Sequence, residues 1–291
     1  MKKFCHKAIN KLTGFFLLVL FMVFTVCVVL LSSLFNPNYL LKKYREIDYY
    51  DLIKSELLEI YRYYGLSSGI PNDFFNGYAI DEGSLYNDMV SSVTETYKGN
   101  TYIPDKEAVK EALSKRVYNY VEENKIKHDT VDKKAVMEYT SVCSDEYEQK
   151  IRMPFDTVLV GVLKPGRIAV TVIMVFCAVL IVIAMIWIKK RLGWKHRLFE
   201  RIAHAAFGSS IVSFIIWYAL YYNRVVERLA ISTRSLYMIV VSWCKDIYGY
   251  FIFICIGFFL LGLIMTLFYY MRKKYLSKRS KKLVNDAVMH F

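Results

Sequence analysis

Apolar positions along this chain follow two patterns: four stretches are apolar almost without interruption, while the segment between the first and second carries apolar residues only at every third or fourth place. The first continuous stretch, residues 14–35, opens GFFLLVLFMVFTVCVVLL and holds no charge. At about 1.5 Å per residue it is long enough to cross the roughly 30 Å of bilayer hydrocarbon. The second, residues 167–188, contains IAVTVIMVFCAVLIVIAMIWI and ends at Trp187, with Lys189 and Lys190 beyond. The third, residues 206–222, is shorter and carries Gly208, Ser209, Ser210 and Ser213, the small and hydroxyl residues of a span packed inside a bundle. The fourth, residues 250–271, is rich in Phe and closes at Tyr269, Tyr270 and Arg272. A further patch, LYMIVVSW at 236–243, is too short to span and reads as an interfacial or re-entrant segment.

The interval 36–166 shows helical periodicity punctuated by Gly and Pro. A helix is expected from Asp48, with Leu52, Ile53, Leu57, Ile60 and Tyr64 on its stripe and Gly65 closing it. Pro71 opens a short piece that Gly77 ends. Ser84 begins a helix striped by Leu85, Met89, Val93 and Tyr97, with Gly99 after it. Pro104-Asp105 leads into another, with Val109, Ala112, Leu113, Val117, Tyr120 and Val121 on one face, and a last runs over 131–152 until Pro154 stops it. These stripes predict a small bundle with its own core, of a size that can fold independently. The fold class is therefore an all-α membrane protein: four transmembrane helices plus a small helical extracytoplasmic bundle.

Composition fits that mixture: hydrophobic residues are 55%, mean hydropathy is +0.27, and charged residues still make up 22%. The formal charge of +13 would suit a nucleic-acid binder, but its distribution argues otherwise. Residues 36–166 hold 22 acidic against 17 basic side chains, a net of −5. The excess of bases sits at Lys2, Lys3, Lys7 and Lys11, at Lys189 to Arg201, and at Arg272 to Lys282. Each cluster flanks an apolar stretch, as the positive-inside rule describes. The expected order is a basic N-terminus (1–13), span one (14–35), an extracytoplasmic domain (36–166), span two (167–188), a cytoplasmic basic loop (189–205), span three (206–222), an outer loop with an interfacial segment (223–249), span four (250–271) and a basic tail (272–291). Both termini then lie in the cytoplasm of a cell-membrane protein. Span one reads as an uncleaved anchor, because its apolar run exceeds a signal-peptide core and no A-x-A site follows. The basic stretch KKRLGWKHRLFERIAH suits either a helix lying on the inner leaflet or a plain lead-in to span three.

Chemistry-bearing motifs are few. There is no HExxH, GxSxG, P-loop or GxGxxG, and His6, His128, His196, His204 and His290 lack metal-ligand spacing. Asp81-Glu82 and the group Asp145, Glu146, Glu148 could meet calcium, but solvated faces are the commoner use and neither forms an EF-hand. His204 and Ser209 are five apart and fall on different helix faces. No Asp or Glu lies within the four apolar stretches, which weakens proton-coupled transport. No catalytic, cofactor-binding or metal-ligating residue is assigned, and no cofactor is expected. Cys143 and Cys244 are the two cysteines that could lie outside the membrane; free thiols or a disulfide both remain open. Fifteen of the 24 tyrosines fall in 36–166, suiting either core packing or an aromatic binding surface.

The succession of an anchor, NPNYLL, YYDLIKSELLEIYRYYGL, a Gly-Pro break and three further spans resembles a loose group of uncharacterised bacterial four-span integral membrane proteins with a helical outer domain after the first span. The resemblance is one of pattern and implies no catalytic residue. The topology is also similar to that of FtsX-like permeases, which place a large outer domain between spans one and two. The expected function is non-enzymatic binding or sensing through the outer domain, within a membrane complex. A permease-like or channel-forming subunit is the alternative, and a membrane-embedded enzyme the second. Expected partners are the lipid bilayer and a membrane protein or a second copy of the chain, with no nucleic acid.

Overall fold

The computed structural model describes the backbone of residues 2–76, 80–126, 132–192, 195–224, 226–228, 230–231 and 233–288. Among the described residues there is no strand. The helices are α1 (Lys2–Ser32), α2 (Pro37–Glu46), α3 (Tyr49–Ser67), α4 (Glu82–Lys98), α5 (Lys106–Glu123), α6 (Lys133–Ile151), α7 (Asp156–Leu192), α8 (Lys195–Tyr222) and α9 (Arg234–Val288), with short 3-10 turns at Asn72–Phe75 and Val226–Arg228. Four helices are long and apolar enough to cross a membrane: those carrying the four apolar stretches. The chain divides into a unit of residues 1–33, 168–229 and 243–291, and a unit of residues 34–167 and 230–242.

In the first unit, side-chain neighbours fix the helix directions. Gly208 of α8 lies against Leu18 of α1, and Ser213 donates to Met22 Sδ, so the two helices run in parallel. Along α8 and α9 the pairs run in opposite order, with Phe199 on Phe268, Phe207 on Phe259 and Ser210 on Cys255. Along α1 and α7, Leu17 shares a cluster with Ala184 while Cys27 neighbours Cys177, again antiparallel. Ile202, Ala205 and Met265 complete the layer around Leu17. The third span is the most enclosed: 39% of its most apolar window is buried, against 22%, 11% and 6% for the others. Small residues on both sides explain this, since a side chain at its Gly208 would collide with Leu18, and one at Gly262 of α9 would collide with its Phe207. The basic stretch does not form a separate surface helix over its described part. α8 is continuous from Lys195, and Leu198 and Ile202 pack into the bundle.

The second unit is a helical bundle with one core, built on Tyr49, Ile53, Leu57 and Tyr61 of α3, Leu85, Met89 and Val93 of α4, Leu113 and Val117 of α5, and Val136, Tyr139, Cys143 and Tyr147 of α6. Most of the expected stripes are thus buried, and the predicted starts lie close to the real ones. Asp81 caps α4 by accepting from the Gly83 and Ser84 N–H groups, Asp105 caps α5 and Asp132 caps α6. Gly99 ends α4 at φ +90°, the left-handed conformation that glycine adopts without strain.

Three local readings need correction. Asp48 precedes α3 but makes no side-chain cap; it takes a left-handed backbone at φ 51°, which turns the chain sharply out of α2. α2 is not among the expected helices, though Asn36 caps it and Pro37 stands at its start. Gly65 does not close α3, which runs on to Ser67. It lets the Phe75 ring lie against the helix where a Cβ would collide. Gly77 lies outside the described residues.

The patch at 236–243 has the largest consequence. It is the beginning of α9, and Ile239 is buried in the core of the second unit with Leu236 and Val240 packed beside it.

Candidate functional site

Among the recesses that open in the second unit are two of more than 700 Å³. The first, of about 720 Å³, is bordered by α3, the end of α6, the residues after it and Thr233 to Leu236. Glu148 stands on its polar wall, and two other lining residues, Lys150 and Ser235, are held by Glu56. Glu56 accepts from the Ser235 N–H at 3.0 Å and the Ser235 hydroxyl at 3.0 Å, and it pairs with Lys150. Burial pushes its carboxyl up, but the bonds from Lys150 and Ser235 outweigh that and leave it below the ordinary carboxylate value. Glu148, nearly buried, bridges Lys106 and Arg152, and Lys106 also reaches Asp145 at 2.9 Å.

Two polar atoms on these lining residues are buried without a partner: Arg152 Nε and Asp156 Oδ2. The other Asp156 oxygen accepts from the Thr157 N–H at the start of α7. An orphaned guanidinium nitrogen and an orphaned carboxylate oxygen leave one donor and one acceptor for an incoming polar group.

The second recess, of about 730 Å³, lies between the starts of α4 and α5. Asp88 accepts there from Tyr102 and Tyr147, each at 2.8 Å. Burial and the adjacent carboxylate raise the Tyr147 hydroxyl well above its ordinary pKa, and the same causes push Tyr102 up to about 12. Both phenols therefore stay protonated and hold Asp88 in place.

Four of the five acidic residues considered for calcium have other work. Asp81 caps α4, Glu82 pairs with Lys54, and Asp145 and Glu148 are held by Lys106 and Arg152. Among the described residues no group of His, Cys, Asp or Glu is arranged to hold a metal ion. His204 is exposed while Ser209 is fully buried, so they form no pair. Cys143 and Cys244 are both free thiols. Tyrosine divides between the two uses considered: Tyr44, Tyr49, Tyr61, Tyr139 and Tyr147 are core residues, whereas Tyr63 and Tyr86 are exposed.

In the helical unit, Ser209, Ser210 and Ser213 form a buried polar seam along α8. Ser210 donates to the Cys255 carbonyl at 2.9 Å, while the Ser209 hydroxyl has no partner. The helix directions also gather the charge. The N-terminal ends of α1 and α8 and the C-terminal parts of α7 and α9 lie at one end of this unit, and these carry the basic clusters. Away from that end, α8 presents stacked Trp217–Tyr221 and Tyr218–Tyr222 pairs, the aromatic residues favoured at a membrane interface.

The fold defines a multi-pass helical membrane protein with a helical bundle inserted after its first span. Compared with known proteins, the chain matches no family model, no curated protein and no solved structure.

Proposed function

We propose that this protein sits in the cell membrane with both termini in the cytoplasm, and that its helical bundle stands on the opposite face and binds or senses a polar ligand or partner without catalysing a reaction. The gathering of the basic clusters at one end of the spans supports the orientation, since cytoplasmic ends retain Lys and Arg. The first recess carries the binding role. It is large enough for a small ligand or a peptide segment, and it offers the Arg152 Nε and Asp156 Oδ2 atoms that the protein itself leaves unpartnered. A photocrosslinking side chain at Gln149, on the wall of this recess, tests it in native membranes. The expected result is a discrete adduct that disappears in the Arg152→Ala/Asp156→Ala double variant. An adduct that persists unchanged in that variant sinks the binding role. The alternative, a permease-like or channel-forming subunit, draws on the unpartnered Ser209 hydroxyl in α8, and a ring-shaped oligomer with a continuous pore would favour it.

A further inference from the structure

Between α1 and α7, within the spanning unit, runs an open groove of about 630 Å³. Its walls are Leu12, Phe15, Phe16 and Val19 on one side and Leu180, Ile183 and Trp187 on the other, with the nearly buried Ala184 as its floor. Thr13 is the single polar side chain along it. The walls cover eight residues of each helix, roughly 10 Å along the axis. The small floor residue makes the groove: at position 184 a larger side chain would fill the space between the two helices.

The groove is apolar along its length and charged at one end. Because α1 and α7 are antiparallel, the residues preceding Leu12 and those following Trp187 lie at the same end. The exposed Lys189 and Lys190 stand there on α7, and the helical N-terminal segment of α1 carries Lys7 and Lys11 in its sequence. No acidic residue occurs in residues 1–35 or 168–199, and the carboxylate on α7, Asp156, is the first residue of that helix, at the end away from Lys189 and Lys190, so nothing on these two helices neutralises the positive charge there. A slot lined by Leu, Phe, Val and Ile with cations at its mouth has the complementarity of an acyl chain attached to an anionic headgroup.

We propose that this groove is a binding site for an anionic phospholipid, with one acyl chain along Phe15, Val19, Ile183 and Ala184 and the phosphate at Lys189 and Lys190. The site builds on the membrane placement above by naming a particular lipid class and position. It does not depend on which face is cytoplasmic, so failure of the orientation and failure of this site are separate results.

The test uses the full-length protein, purified in mild detergent and presented with equal amounts of phosphatidylglycerol and phosphatidylcholine of matched chains, with retained lipid counted by native mass spectrometry. Wild type is expected to retain phosphatidylglycerol preferentially. Lys189→Gln/Lys190→Gln should lower that preference by up to roughly thirtyfold, the scale expected on removing two cations near a lipid surface. Ile183→Trp, which fills the groove and leaves the charge intact, should lower retention of both lipids. Lys273→Gln/Lys274→Gln, which removes the same charge from α9, should leave the preference in place. Equal retention of the two lipids by wild type overturns the site, as does an equal loss in the α9 control. A dimer that Ile183→Trp dissociates also overturns it, because the groove would then be an interface between copies of the chain.

Discussion

Glu56 is the residue on which the first recess most depends, because it joins α3 to α6 through Lys150 and to the start of α9 through Ser235. Replacing it with Gln leaves Lys150 without its counter-charge, and the expected cost is about 1–3 kcal/mol of stability. Thermal unfolding followed by near-ultraviolet circular dichroism of the tyrosines measures it. The pH dependence has a definite sign. The folded carboxyl is held below its ordinary value, so its stabilisation is present above the unfolded pKa of about 4.3 and is lost as pH falls through the lower folded value. Wild type should therefore lose stability on acidification below about pH 4, and Glu56→Gln should show a shallower loss. An unchanged acid slope in the variant would remove Glu56 from this role. The buried serines of α8 make a second residue-scale test. Ser209 leaves its hydroxyl unpartnered, so Ser209→Ala should be neutral or stabilising by about 1 kcal/mol. Ser213 is fully enclosed beside Met22, and Ser213→Leu should cost about 1–3 kcal/mol through overpacking. Detergent melting curves of both variants decide it; a large loss at Ser209→Ala would mean that its hydroxyl has a necessary partner.

At the scale of elements, the bundle of residues 34–167 is not a complete module. Leu236, Ile239 and Val240 come from the start of α9, some seventy residues after its last helix passes into the span, and they close its core. A fragment of residues 34–160 should therefore unfold at lower temperature than the same fragment joined by a flexible linker to residues 230–242. Equal melting temperatures would show that the segment packs without contributing. The bundle's stripes were legible because helices report their buried faces locally, every third or fourth residue, and Asp105 marked the start of α5, whereas Asp81 and Asp132 cap helices whose expected starts are Ser84 and residue 131. The role of LYMIVVSW was not legible: an apolar octapeptide has the same composition whether it meets lipid or a protein core.

For the whole molecule, the expected orientation follows from where the bases collect. A cysteine placed at Lys278 should resist an impermeant thiol reagent in intact cells, and one placed at Glu107, an exposed residue of α5, should react. Labelling at position 278 would overturn the orientation. The cysteine-free background needed for this is attainable, since Cys27, Cys143 and Cys177 are buried as small apolar side chains.

Length, charge and apolar periodicity determined the four spans, the helical class of the bundle and the enclosure of the third span, whose Gly208, Ser209 and Ser213 already marked it. These properties depend on interactions within a helical turn, or between a helix and its solvent, so the local sequence carries them. Only the tertiary structure brought Ser235 to Glu56, closed the bundle with Ile239, placed Phe75 against Gly65 and left a groove over Ala184. All but the Phe75 contact join elements distant in sequence, and in none does a spacing rule connect the partners. Packing alone selects which surfaces meet.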